Sequence, residues 1–377
     1  MEEAEKRQFV WLPTGEQEML LKAALFNDRR AIAAWKQWRR SVRDVEILQA
    51  ETRLFPLIYQ NHLKLNYEDD FTPILKRSHR TAFRDAHIHL LNAEAAVKIL
   101  NANGVRTLLL KGGALGVLYY GSPALRPMAD IDLLIKPKDF FKSVEAVKAA
   151  GWIPQEKNLS LILQIINACD FKNSAGEQLD IHWRVMRDCW SADKNDLFWE
   201  AATKFEYNSL RTETICSTDH LFHVCCHGAR QNALAPIRWV VDAMMILRSG
   251  DEIDWQRLYE LGKFYRLSLT LSHALAYLKE TFDAAIPDSY LRRVKELPIT
   301  RMEILSFKLF SQPLKPWSFK RYAEEIALQY SMQVSSTDLR PRSLAFVKYF
   351  QHILTTESVV KKLERILKTL LLRKTQF

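Results

Sequence analysis

Apolar residues recur at three-to-four spacing through most of the first hundred positions. The stretches "EQEMLLKAALF", "RRAIAAWKQWRRSV" and "LLNAEAAVKILNA" carry that spacing, which predicts amphipathic helices over residues 15 to 103. Asn103-Gly104 supplies a helix stop. The pattern then shortens. "VRTLLL" predicts a buried strand, and Lys111-Gly112-Gly113 begins a turn into a helix over "ALGVLYYG", broken by Gly121-Ser122-Pro123. "DIDLLIK" predicts a strand, and "PKDFFKSVEAVKAAG" a helix with proline near its start and Gly151 at its end. "NACDFKN" and "EQLDIHWRV" flank the turn "SAGE" and predict an antiparallel hairpin.

After Trp190 the helical period returns. "TDHLFHVCCHGAR", capped by Thr218 or Asp219, and "IRWVVDAMMILRSG", ended by Gly250, are its clearest examples. "DEIDWQRLYELGKFY" and "LSLTLSHALAYLKETF" continue it. The predicted class is α+β: a small mixed β-sheet core with helices, flanked by N-terminal and C-terminal helical regions. The expected divisions are a helical region over 1–103, an α/β core over 104–190, a helical domain over 191–296 and a basic helical region over 297–377.

Composition excludes several classes. The chain has 377 residues, 48% hydrophobic and 26% charged, with 11 glycines, an ordinary balance for globular protein. It carries no apolar run long enough to span a membrane and no secretory signal in "MEEAEKRQF". The five cysteines, Cys169, Cys189, Cys216, Cys225 and Cys226, form no C-x-x-C pair. A reduced, cytoplasmic setting is expected.

Charge changes the picture only at the end. From Arg301 onward there are 14 Lys/Arg against 6 Asp/Glu, so most of the net charge of +10 sits there. Within it, "VVKKLERILKTLLLRK" (359–374) places Val359, Val360, Leu363, Ile366, Leu367, Leu370 and Leu371 at helical spacing among basic residues. This is a basic amphipathic helix. It suits docking on the protein's own core or peripheral contact with an anionic membrane.

Candidate chemistry lies in the α/β unit. Residues i and i+2 of a strand share a face, so Asp130 and Asp132 are expected side by side. Two such carboxylates repel unless a cation lies between them or one is protonated. Oxygen-only ligands suit a hard ion such as Mg²⁺ or Mn²⁺. An exposed strand carries the same pair without a metal. Gly112 and Gly113, between strand and helix, would let backbone approach a phosphate, with Lys111 as a nearby cation. A tight turn explains the same glycines. Asp180 and His182 share a face of the later strand. If that strand lies beside the first, three carboxylates converge, as two-metal phosphoryl transfer requires.

The ordered set "LLLKGGAL", "RPMADIDLLI", "LDIHWRV", "HVCCHGAR" and "IRWVVDAMMILR" resembles a bacterial nucleotidyltransferase family of the DNA polymerase β-like superfamily. The resemblance covers roughly residues 40 to 290, and "TRLFPLIYQNH" resembles the family's helical lead-in. The sixteen residues from 114 to 129 make a longer turn-to-strand connection than the superfamily usually has. The resemblance implies metal ligation by Asp130, Asp132 and Asp180. Asp180 would also be the nearest acceptor for a proton. Gly112 and Gly113 would face the triphosphate, with Lys111 and Arg126 meeting phosphate charge. For Arg126 the alternative is a loop-fixing salt bridge. His182 either lies on the acceptor side or simply hydrogen-bonds near Asp180. His227 and Asp242 match family positions and would line the acceptor side, or else pack two helices. His220, His223 and His227 share a helical face, but no Cys or carboxylate cluster supports zinc there.

The resulting expectation is an enzyme, a metal-dependent nucleotidyltransferase. It would move a nucleoside monophosphate from an NTP to a hydroxyl or phosphate of a small molecule, peptide or protein, releasing pyrophosphate. The alternatives are a non-catalytic nucleotide- or partner-binding module of the same fold, and an RNA-modifying nucleotidyltransferase. The basic region lacks the aromatic interleaving of a single-strand platform, so nucleic acid is the less favoured partner.

Overall fold

The computed structural model describes residues 9–42, 49–186, 196–230 and 237–311. The basic helix expected at 359–374, and the membrane contact it would make, lie outside the described residues.

Helices precede the sheet as the periodicity predicts. α1 (Gly15–Leu25) begins with a capping box: Thr14 accepts from the Gln17 backbone N–H, and the Gln17 side chain accepts in return from Thr14 N–H. α2 (Arg29–Ser41) is capped by Asp28, which accepts from Arg30 N–H at 2.8 Å. A short helical turn at Gln49–Thr52 leads to α3 (Phe55–Lys64) and then α4 (Thr72–Ala102). Asn61 ties α3 to α1 by donating to the carbonyls of Ala23, Ala24 and Phe26.

The sheet has seven strands. β1 (Leu108–Leu110) runs into α5 (Lys111–Leu118), and β2 (Ile131–Leu134) is followed by α6 (Phe140–Ala149). β3 (Ile153–Pro154) and α7 (Leu159–Ile165) lead to the expected hairpin, β4 (Ala168–Lys172) and β5 (Gln178–His182). Asn173 shapes its turn by accepting from Ala175 and Glu177 N–H. Two further strands follow, β6 (Thr203–Tyr207) and β7 (Leu210–Thr214). The spatial order is β3-β4-β5-β2-β1-β7-β6. β2 is parallel to β5 and β1 to β7, while the other neighbours are antiparallel. The expected mixed sheet is therefore present.

The last pair corrects the sequence reading, which had the chain return to helix after Trp190. The α/β unit extends to Thr214. In "TKFEYNSLRTET", Phe205 and Leu210 are buried among polar neighbours, and Asn208 takes the left-handed turn conformation at φ 51°. Alternation this weak is hidden by the polar residues between.

Alternation also gives the two faces of the sheet different cores. Leu109, Ile131, Leu133, Phe171, Leu179 and Ile181 pack on one face with α4 and α6 side chains. Leu108, Leu110 and Leu134 point to the other, where a larger core continues into the later helices. These are α8 (Ser217–Gly228), α9 (Arg238–Arg248), α10 (Trp255–Tyr265), α11 (Ser268–Phe282), α12 (Asp288–Lys295) and α13 (Arg301–Ser311). Neither expected residue caps α8 through its side chain. Cys216 is the cap position, and Asp219 instead accepts from Arg257 at 2.7 and 2.8 Å. At Gly228 a Cβ would lie 2.1 Å from Trp239 Cβ, so glycine lets α8 and α9 touch. Cys169, Cys216, Cys225 and Cys226 are free thiols. No described helix is long and apolar enough to cross a membrane.

Candidate active site

The second face of the sheet stops being apolar at β2. Leu110 lies opposite Asp132, Asp132 opposite Asp180, and Asp180 opposite Asp170. Cross-strand partners share a face. Three carboxylates thus stand in a row across β2, β5 and β4. The parallel pairing of β2 with β5 is what brings Asp132 beside Asp180, although 47 residues separate them. Asp130 differs from the expectation. It sits in the bend just before β2, not within the ladder, so its approach to Asp132 depends on the bend.

Asp132 is the buried centre, 1% exposed. Lys111 Nζ donates to its Oδ1 at 2.5 Å, and His182 Nε2 lies 2.8 Å from the same oxygen. Asn167 Nδ2 is 3.4 Å from His182 Nδ1. An amide nitrogen can only donate, so Nδ1 accepts and Nε2 carries the proton toward Asp132. Lys111 follows β1 with a left-handed φ of 45°. For a long side chain that conformation is costly, and here it accompanies the contact of the ammonium with Asp132.

The electrostatics are uneven. Burial alone would raise Asp132, but Lys111 and His182 hold its carboxyl well below the usual range. Asp180 has no such support. Burial, then Asp170, Asp132 and Asp130, push it up to about 8. Burial and Asp132 also raise Asp130. For Lys111, the pull of Asp132 outweighs burial and keeps the ammonium charged. Burial and Lys111 lower His182. Four carboxylates thus face one ammonium in contact, a neutral imidazole and the more remote Arg238, a cluster short of positive charge.

That shortage fits a divalent cation. Ligand atoms of Asp132, Asp180 and His182 all lie within 4.8 Å of one another. The carboxylate oxygens suit Mg²⁺ or Mn²⁺. His182 would ligate only after losing the proton on Nε2, so it presently serves Asp132 as a donor.

Other expected residues are placed differently. Arg126 and Asp242, assigned to phosphate charge and to the acceptor side, pair with each other. Arg126 Nε and Nη2 donate to Asp242 at 2.7 and 2.8 Å, and the Tyr120 hydroxyl donates to Oδ1 at 2.6 Å. Both residues are buried. Asp242 lies on the inner face of α9 and meets the 120–126 segment there, so the salt-bridge alternative describes Arg126. On their Cα sides the two glycines face protein. A Cβ at Gly112 would meet Arg126 Nη1 and Met128 Cβ at 2.8 Å, and one at Gly113 would meet Leu109 Cδ1 at 2.9 Å. Close packing therefore requires them, and only their backbone N–H groups remain to meet a phosphate.

His220 has its Nε2 3.1 Å from Thr214 Oγ1. His223 and His227 have ring centroids 5.4 Å apart, and Lys111 and His182 act electrostatically on both. α8 therefore runs beside the carboxylates. Among the described residues, no histidine of α8 belongs to a group able to hold a metal ion. Asp170 is the functional candidate that the sequence reading passed over. Its signal was position: in "NACDFKN" it pairs with Asp180 in the hairpin that was itself predicted.

Comparison with known proteins decides the family. Residues 41–283 match the family described as "Uncharacterised nucleotidyltransferase". The chain belongs to this family. The carboxylate row, the Gly-Gly turn and α8 all fall within the matched span. No curated protein matches it. Among solved structures it is similar to an antigenic nucleotidyltransferase-like protein from Paracoccidioides brasiliensis, at 15% identity over 54% of this chain and 92% of that one, with a TM-score of 0.35. Similarity this loose says nothing about the site.

Proposed function

We propose that this nucleotidyltransferase is an active, divalent-metal-dependent enzyme that transfers a nucleoside monophosphate from an NTP to an acceptor hydroxyl or phosphate. The observation that carries the reading is the in-register pair Asp132 and Asp180, flanked by Asp130 and Asp170 and short of positive charge.

Asp130, Asp132 and Asp180 would hold the metal, Mg²⁺ or Mn²⁺. The bound ion would supply charge neutralisation at the phosphates and a lowered pKa at the acceptor oxygen. The acceptor oxygen forms a bond to the α-phosphorus, while the bond from that phosphorus to the bridging oxygen breaks. Pyrophosphate leaves with the bonding pair. Asp180 is the candidate to take the acceptor proton, because it stands in register with Asp132 on the same face of the sheet. Lys111 holds Asp132 in place through Oδ1, and His182 supports the same oxygen. The rest of catalysis is positioning and charge compensation. Of the other residues expected on the acceptor side, His227 lies on α8, where Lys111 and His182 act on it electrostatically.

The test is incubation of the full chain with each α-labelled NTP, Mg²⁺ and a cell extract. The expected outcome is one acceptor that gains label, and none with Asp130→Ala or Asp132→Ala. A fully active Asp132→Ala variant would sink the metal assignment. Nucleotide binding without a labelled acceptor from any NTP would favour a binding module.

A further inference from the structure

With Lys111 on Asp132 and Arg126 on Asp242, Arg238 and Arg53 form no ion pair with a carboxylate among the described residues. Arg238 opens α9, and its Nη1 donates to the carbonyl of Pro127 at 2.9 Å. Pro127 belongs to the segment from Arg126 to Asp130. That segment lies directly against the Gly112 turn, since a Cβ at Gly112 would touch both Arg126 and Met128. Arg238 is thus fastened to the strip that joins the phosphate-facing turn to the first carboxylate.

Arg53 comes from the other side. It lies in the turn just before α3. α3 packs on the 3-10 turn Pro123–Leu125, which immediately precedes Arg126. Neither Arg53 nor Arg238 forms an ion pair among the described residues, and both oxygens of Asp242 are already taken by Arg126. Arg53 is close enough to act on Arg238. Burial, Arg126 and Arg53 together push Arg238 down to about 10, with Asp242 opposing. Arg238 also lies close enough to Asp130 to act against the burial and the Asp132 charge that raise it.

Unpaired, partly buried guanidiniums are unfavourable unless an anion meets them. Their planar fork suits phosphate oxygens in pairs. The carboxylate row repels phosphate, so a phosphate chain held there needs cations at its far end.

We propose that Arg53 and Arg238 form the receptor for the terminal phosphates of the nucleotide, a site for a linear polyphosphate running from the carboxylate row toward α3. This deepens the nucleotidyltransferase reading and rests on it for the reaction. The assignment replaces Arg126, whose guanidinium is committed to Asp242. In the reaction these arginines are positioning residues for the pyrophosphate half of the substrate.

The test uses inorganic tripolyphosphate as the probe, titrated calorimetrically into the full chain with and without Mg²⁺. Wild type should bind it. Arg53→Gln and Arg238→Gln should each weaken binding by about tenfold or more, the range for a lost charge-assisted contact. Both should raise KM for the NTP more than they lower kcat. Arg238→Lys, which keeps the charge but not the fork, should recover part of the loss. Circular dichroism melts establish that each variant is folded, and Arg53, lying in a turn, supplies the variant least able to disturb the core. Asp132→Asn should lose turnover yet keep metal-free tripolyphosphate binding. Wild-type binding that both arginine variants retain within twofold overturns the receptor while leaving nucleotidyl transfer standing. No wild-type binding of tripolyphosphate overturns it too. Arginine-dependent binding with no nucleotide transferred to any acceptor leaves the receptor and removes the reaction.

Discussion

Two buried clusters of charge lie near enough for Asp132 to act on Arg126, and they are built on opposite terms. At Asp242 the account closes. One guanidinium grips the carboxylate with both arms and a tyrosine hydroxyl completes it. Asp242 is held below the usual range because Arg126 overcomes its burial. At Asp132 the account stays open. Its own oxygen is served twice, yet Asp130, Asp170 and Asp180 beside it have only Lys111 and, for Asp130, the influence of Arg238. A closed cluster fixes two elements to each other. An open one waits for a ligand of the missing sign.

Four measurements would break or sharpen that contrast. Asp132→Ala should lower Mg²⁺-dependent NTP consumption by roughly a thousandfold or more, the scale of losing a group on which a metal site depends. The variant should still melt cooperatively, as followed by circular dichroism. Asp242→Asn should do the reverse. It leaves Arg126 buried without its anion and should cost about 3–5 kcal/mol in urea unfolding. Well below its melting temperature it should keep far more activity than Asp132→Ala.

The third measurement concerns pH. The folded-state pKa of Asp180, about 8, lies above its ordinary carboxylate value. Between those two values the folded chain holds a proton that the unfolded chain has released, so stability of the metal-free protein falls as pH rises from about 4 toward 8. Its melting temperature should drop by a few degrees over that window. Mg²⁺ should restore it more at pH 8 than at pH 5, since a bound cation replaces the proton. A flat profile with no added-metal effect would show the cluster to be closed after all. The smallest effect is expected from Asp170→Asn. Removing one like charge should lower the Asp180 pKa by about one unit, visible as a shift of the acidic limb of the pH–rate profile.

Most of the helices, α7 excepted, and four of the strands were legible because their periods are strong. "EQEMLLKAALF" and "DIDLLI" each repeat cleanly, and the structure places α1 and β2 there. β6 and β7 were missed because "TKFEYNSLRTET" buries few of its side chains. The acidic pair of "DIDLLI" and the acid of "LDIHWRV" could be read as one site once the strands were assumed adjacent, and β2 does lie beside β5. Asp170 could not, because its importance comes from register with Asp180 and not from any motif. Arg126 and Asp242 were read into the site for the opposite reason. The sequence places an arginine and an aspartate near the right elements, but 115 positions lie between them. Only packing of α9 against the 120–126 segment reveals that they neutralise one another.

The ladder between β2 and β5 also sets what this chain could tolerate in its history. Asp132 and Asp180 are aligned by backbone hydrogen bonds between neighbouring strands, and the residues from 135 to 177 loop away from that alignment and return. Apart from β4, which sets Asp170 opposite Asp180, their length is therefore free to vary. Insertions in the turn 173–177, or a longer α7, would leave the spacing of the two carboxylates untouched, whereas one residue added inside either strand would turn an aspartate to the opposite face. The carboxylate pair is thus insulated from most of the chain that lies between its two members.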